Sequence, residues 1–319
     1  MTADRPPPTA VLFLTHYVNS GIVRRFRRLE RELAGRHDVY FAVDLASSRS
    51  HRRVTGDLVG ERLFLFNLAL LKRLPYARAS GPWDFDSIVP GRVDLVVQLF
   101  ARLHPRYERI YLVENDVVWT GHWRDLFEAL DASPADLLGT NSFHAAEYPS
   151  WNVWPTLATP DLDLPPERRV RFLLAFCRYS RPALRALEGV YARGWQGHFE
   201  ALVPTALLAA GLRLEDIGGE GPFVPPGHER RFYWSERTSP QEEQRGTFVY
   251  RPLQRPIRRG PPRLWHPVKL PAGLDLLHRL RRWRHGHLDR DRFLAEDARY
   301  RRLDEALLPG ALDESPRQP

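Results

Sequence analysis

Two carboxylates one residue apart, Glu114 and Asp116, close a short apolar run at 109–113 (RIYLV), with Asn115 between them. Acids at a strand end can offer one carboxylate to a hard divalent cation and the other to metal-bound water or a ribose hydroxyl. A cation held this way, Mn2+ or Mg2+, bridges two phosphates, so the pair suits chemistry in which a diphosphate leaves. The competing reading is an acidic turn in solvent. Position favours the first, because open α/β sheets bind ligands at the carboxyl ends of their strands.

A second group is the string 194–200 (GWQGHFE), which runs into a strong helical pattern ended by Gly211. Glu200 could take the proton of an acceptor hydroxyl as general base, or offset the dipole of that helix; the sequence leaves both open. His198 is a second candidate base or a donor to substrate, against a structural place. Trp151, Trp154 and Trp195 are candidates for stacking on an acceptor sugar, although most tryptophans are core residues. The single cysteine, Cys177, sits in an apolar run and reads as a small buried side chain.

The elements that must carry these residues alternate. A buried strand at 9–14 (TAVLFL) is followed by a Gly-ended loop, then by Ile22, Val23, Phe26, Leu29 and Leu33 at helical spacing, and by a strand at 38–43. Strand, helix and strand in this span form a βαβ unit with a right-handed crossover. Residues 46–83 have no clean period and are left mixed. A helix at 93–103, a strand at 109–113, a helix at 123–130 and a strand at 135–140 follow. Beyond a Trp/Pro-rich stretch come a strand at 172–179, a helix at 181–191 capped by Ser180, the helix from 199, and a strand at 212–217. The alternation predicts an α/β fold with an open, mostly parallel, Rossmann-like sheet flanked by helices.

The segment 111–123 (YLVENDVVWTGHW) resembles the strand-turn signature of GT-A glycosyltransferases, in which a D-x-D-type motif closes a central strand. It is similar to uncharacterised bacterial glycosyltransferase-like families with an E-x-D-V pattern followed by T-G-x-W. The departure is Glu in place of the first Asp. The resemblance spans roughly 9–269 and implies a GT-A-like domain over 1–270, transferring a sugar from a nucleoside diphosphate to a hydroxyl, with inversion. It implies Asp116 and Glu114 as metal ligands for Mn2+ or Mg2+, joined by His266 from the string 265–269 (WHPVK), with Lys269 on the diphosphate. It places Thr15, Tyr17, Asp44 and Asn115 on the nucleotide, Glu200 as base, and His198 with the three tryptophans on the acceptor. The acceptor class stays open among a glycan, a lipid-linked glycan and a small molecule.

Composition bounds the rest. At 319 residues, 43% hydrophobic and 27% charged, the chain is in the ordinary globular range. One cysteine excludes a disulfide framework and fits a reducing cytoplasm, and no signal peptide or membrane span is expected. The net charge of +8 is largely arginine, dense at 277–302. That stretch predicts a basic helical appendage over 271–319, suited to peripheral contact with an anionic membrane. Two other readings compete. A nucleic-acid-binding protein would use the basic tail but leave the acidic turn idle, so no nucleic acid is expected. A sugar nucleotidyltransferase would show a Gly-rich basic loop after the first strand, where this chain has His16 to Gly21.

Overall fold

The computed structural model describes residues 8–45, 62–76, 92–236, 244–250, 253–256 and 259–269. Strand β1 (Thr9–Thr15) is buried along its whole length, as an apolar run covered on both faces must be. Helix α1 (Ser20–Leu33) starts at Asn19, whose side chain accepts from the Ile22 N–H at 2.9 Å. Its buried stripe is Ile22, Phe26, Leu29 and Leu33. The chain then reverses at Gly35, whose φ of 80° a Cβ would oppose. Strand β2 (Asp38–Asp44) lies parallel to β1. The mixed apolar cluster near 63–71 divides into β3 (Leu63–Phe66), parallel to β2, and a one-turn helix α2 (Leu68–Leu71) capped by Asn67.

Helix α3 (Val93–Leu103) leads to β4 (Arg109–Glu114), which pairs with β1 in parallel. A two-residue strand β5 (Val118–Trp119) and helix α4 (Trp123–Asp131) precede β6 (Leu137–His144). Strand β7 (Val170–Ser180), helices α5 (Arg181–Ala192) and α6 (Phe199–Ala209), β8 (Leu214–Asp216) and β9 (Leu264–Trp265) complete the described elements. The expected strand at 135–140 is longer than its apolar letters. Polar Thr140, Asn141 and Ser142 continue it because their bonds are found inside: Thr140 Oγ1 donates to the Leu173 carbonyl, and Ser142 donates to Asp216.

Among the described residues the main sheet has seven strands in the order β3-β2-β1-β4-β7-β6-β8. Strand β7 runs against β4 and β6, and every other pair is parallel. This is the open, mostly parallel α/β arrangement expected from the sequence. Side chains alternate to two cores: Leu12 and Leu112 face α3, α5 and α6, while Val11, Phe13, Tyr111 and Val113 face α1 and α4. Helix α6 is buried on nearly all sides, which its apolar composition requires. Cys177 is fully buried, and burial pushes its thiol well up, so it is an inert core side chain. Among the described residues no helix is long and apolar enough to cross a membrane. The basic stretch at 277–302, and with it the expected domain boundary at 270/271, lies outside the described residues.

Candidate active site

Glu114 is the last residue of β4, and Asn115 and Asp116 form the turn that follows. Strand β5 leaves this turn at once and pairs antiparallel with β9, Val118 opposite Trp265. The two-stranded ribbon carries the chain immediately after β9 back to the acidic turn. There Val268 donates its N–H to the Asp116 carbonyl at 2.8 Å. His266 and Lys269 therefore meet Glu114 and Asp116, from a part of the sequence remote from them.

The His266 ring has a defined tautomer. Its Nδ1 lies 2.7 Å from the Val249 carbonyl, which can only accept, so Nδ1 carries the proton. The lone pair is then on Nε2, 3.6 Å from Asp116 Oδ1 and 4.0 Å from Glu114 Oε2. One ligand atom from each of Glu114, Asp116 and His266 lies within 4.8 Å of the other two. Two carboxylates and a neutral imidazole fixed by a backbone carbonyl make a donor set that fits a divalent cation. The other oxygen of Asp116 accepts from the Lys269 ammonium.

The charges agree with that fit. Burial, and then the negative charges of Asp116 and Glu200, push the Glu114 carboxyl up to about 8. Burial would also raise Asp116, but His266 and Lys269 outweigh it and hold that carboxyl below its ordinary value. Burial lowers His266 and keeps its imidazole neutral. Three mutually repelling carboxylates thus share this region with Lys269 and with Arg171, whose guanidinium nitrogen lies 3.7 Å from Glu200 Oε2.

Two cavities meet at Glu114, Asp116 and Lys269. The first is lined by Thr15, His16, Asp44, Phe66, Val96 and Asn115 besides those three. The second, of about 640 Å3, is lined besides by Glu200, His198, Trp151, Tyr250 and Leu253. Asp44 and Phe66 are register partners at the carboxyl ends of β2 and β3. Glu200 is in the first turn of α6, and His198 is the cap, its Nδ1 accepting from the Glu200 N–H at 3.3 Å. Gly197 delivers them at a φ of 151°, where a Cβ would stand 3.2 Å from the Leu157 Cα and the Thr156 carbonyl.

The structure brings together Glu114, Asp116, His266, Lys269, Asn115, Thr15 and Asp44, and puts Glu200, His198 and Trp151 on the adjoining cleft. Thr15 and Asn115 also bond each other, Asn115 Nδ2 to Thr15 Oγ1 at 2.8 Å. Three residues are placed elsewhere. Tyr17 lies outside both linings, its ring edge-on to His16. Trp154 supports Trp151 from behind, with ring centroids 4.8 Å apart, and donates to the Tyr148 carbonyl. Trp195 is 1% exposed in the main core and donates to Asp161, so it cannot stack on a ligand in the cleft.

Sequence reasoning missed Phe66 and Val96 as lining residues, and Arg171 and Arg25 as supports. Phe66 was detectable once β3 is a strand, since parallel neighbours end side by side. Arg25 had no signal, being one arginine among several on α1. It donates from one nitrogen to the carbonyls of Asn115 at 2.7 Å and Val268 at 2.9 Å.

No protein-family model and no curated protein matches the sequence. Among solved structures the chain is similar to mouse xyloside xylosyltransferase 1 in its apo form, at 15% identity and a TM-score of 0.37, over 66% of this chain and 84% of that one. It is also similar to the mannosyltransferase PcManGT from Pyrobaculum calidifontis, solved in complex with GDP-Man and Mn2+. That match has 15% identity and a TM-score of 0.37, over 71% of this chain and 56% of that one. At these values neither structure assigns this chain a family or an activity.

Proposed function

We propose that the chain is a glycosyltransferase that moves a sugar from a nucleoside diphosphate to a hydroxyl acceptor. The observation that carries this reading is the convergence of Glu114, Asp116 and His266 at the junction of two cavities. One cavity takes the nucleotide, with Asp44 on the ribose or base and Thr15, His16 and Asn115 around the diphosphate. The other takes the acceptor.

Glu114, Asp116 and His266 would hold the divalent cation, and the nitrogen donor tilts that set toward Mn2+ over Mg2+. When bound, the cation supplies positive charge to the leaving diphosphate. Lys269 adds its ammonium to the same oxygens. Glu200, in the acceptor cleft, accepts the proton of the acceptor hydroxyl. The acceptor oxygen then bonds the anomeric carbon as the bond from that carbon to the diphosphate breaks, and the diphosphate leaves with the electron pair. A single displacement of this kind inverts the anomeric centre.

The test is calorimetric titration with UDP and GDP, with and without Mn2+, on the wild type and on Asp116→Ala. Nucleotide binding that requires the metal and is lost in the variant supports the assignment. Metal-independent binding that survives Asp116→Ala removes it.

A further inference from the structure

Helix α1 carries arginines at 24, 25 and 28, and all three line a third cavity, of about 630 Å3. It shares no lining residue with the two cavities that meet at the acidic turn. Its walls come from α1, from β5 with Thr120, and from the chain at Pro256 and Val268. Apart from the arginines, no described lining residue is charged.

The three arginines differ in what they already hold. Arg28 is fully engaged: its Nε donates to Glu32 at 2.8 Å, and its terminal nitrogens donate to the carbonyls of Trp119 and Gly121. Arg25 uses Nη1 for the carbonyls of Asn115 and Val268, and its Nε and Nη2 have no described partner. Arg24 is exposed and has no hydrogen-bond or ion-pair partner among the described residues. Glu32 pairs with Arg28, whereas no described carboxylate pairs with Arg24 or Arg25. A single arginine in water is ordinary surface. Two unpaired ones on a concave, low-dielectric wall concentrate positive potential within it. Gly21, in the first turn of α1, lines the same cavity, and that turn holds no acidic side chain to offset the positive end of the helix dipole.

The ligand's chemistry follows from these donors. A carboxylate presents its oxygens in one plane and is satisfied by a single guanidinium fork. A phosphate group presents three oxygens and roughly two negative charges near neutral pH. It can therefore take two guanidiniums and a helix terminus together. The cavity is in the size range of small-molecule sites, which leaves space for the group that the phosphate is attached to.

We infer that this cavity binds a phosphate monoester, held by Arg24, Arg25 and the first turn of α1. Such a group can belong to a free metabolite or to a lipid headgroup. The inference stands whether or not the chain transfers a sugar.

The test uses the full chain in EDTA, so that no cation bridges phosphate to the acidic turn. Glycerol 3-phosphate, acetate and glycerol are titrated by calorimetry at equal ionic strength into the wild type, Arg24→Gln, Arg24→Glu and Lys269→Met, with melting temperatures as the fold control. Glycerol 3-phosphate is expected to bind, and acetate and glycerol are not. Arg24→Gln should weaken it about tenfold, the effect of losing one charge-assisted hydrogen bond. Arg24→Glu should abolish binding, and Lys269→Met, a change at the other site, should leave it unaltered. Sedimentation with phosphatidylcholine vesicles, with and without phosphatidic acid, separates the two sources. Vesicle binding that needs phosphatidic acid and falls in Arg24→Glu places the phosphate on a headgroup, and binding of glycerol 3-phosphate alone places it on a free metabolite. Neither kind of binding, binding that survives Arg24→Glu, equal binding of acetate, or loss in Lys269→Met would each overturn the inference.

Discussion

Arg25 holds Asn115 by its carbonyl, 2.7 Å from a guanidinium nitrogen that also reaches the Val268 carbonyl. One side chain of α1 thereby ties the acidic turn to the returning chain that supplies His266 and Lys269. Burial lowers the Arg25 pKa, yet the group stays charged throughout the working range.

Replacing Arg25 with Met should loosen the relation between the two ligand-bearing segments. Mn2+ affinity is expected to fall about tenfold, in the range seen when groups that orient metal ligands are removed. Arg25→Lys, with its single ammonium, should recover part of the loss. Calorimetric Mn2+ titration decides it. An unchanged affinity in Arg25→Met would mean that the carbonyl contacts do not set the site.

Arg171 and Glu200 are both almost wholly buried, at 1% and 9% side-chain exposure. Removing either charge leaves the other uncompensated, which costs about 3–5 kcal/mol for buried pairs. Arg171→Met should lower stability by that amount in urea unfolding, and the double variant Arg171→Met/Glu200→Gln should regain much of it. A double variant no better than the single one would show that the two charges are not coupled.

Asp94, in the first turn of α3, is buried against the Tyr191 hydroxyl, and burial pushes its carboxyl from 3.8 up to about 6. The folded chain therefore binds this proton more tightly than the unfolded chain does. The stability it contributes is fully present below about pH 4 and is lost as pH rises through about 6, a change of roughly 3 kcal/mol. Asp94→Asn should lose this part of the pH dependence and be more stable than the wild type at pH 7. Melting temperatures from pH 4 to 7 provide the check, and parallel curves for the two proteins would refute it.

Asp216 is fully buried and accepts from the Ser142 N–H and hydroxyl, the Gly218 and Gly219 N–H groups and the Tyr233 hydroxyl. Asp216→Ala strands these donors, each at about 1–3 kcal/mol when buried without a partner. A loss of at least 3 kcal/mol is expected by denaturant titration. A loss below 1 kcal/mol would mean that the donors find other acceptors.

The half of the fold written in periodic apolar letters was legible. Helix α3 was read at its observed bounds, and β1, β2 and β4 to within a residue, because a buried parallel strand is a run and a covering helix is a stripe. Where polar residues continue an element the letters mislead: β6 goes on through Asn141 and Ser142, and β7 encloses Arg171 and Arg178. That Glu114 and Asp116 close a strand was legible in the letters, and the approach of His266 and Lys269 to them was expected through resemblance alone. The ribbon of β5 and β9 was not, since two-residue strands carry no period and their pairing is set by tertiary contact. Trp195 shows the same limit from the other side, because its glycine-flanked string hides a core position.

The ribbon also dictates when the site comes into being. Lys269 and Asp116 are 153 positions apart in the chain, and nothing local draws them together. Closing so long a loop is entropically costly and pays back only once the sheet that holds Asp116 already exists. During synthesis the acids would leave the ribosome long before their histidine partner. If the proposed cation site is right, its affinity would be a late property of the nascent chain, acquired when the β9 segment docks, and metal uptake would mark the completion of folding instead of its start.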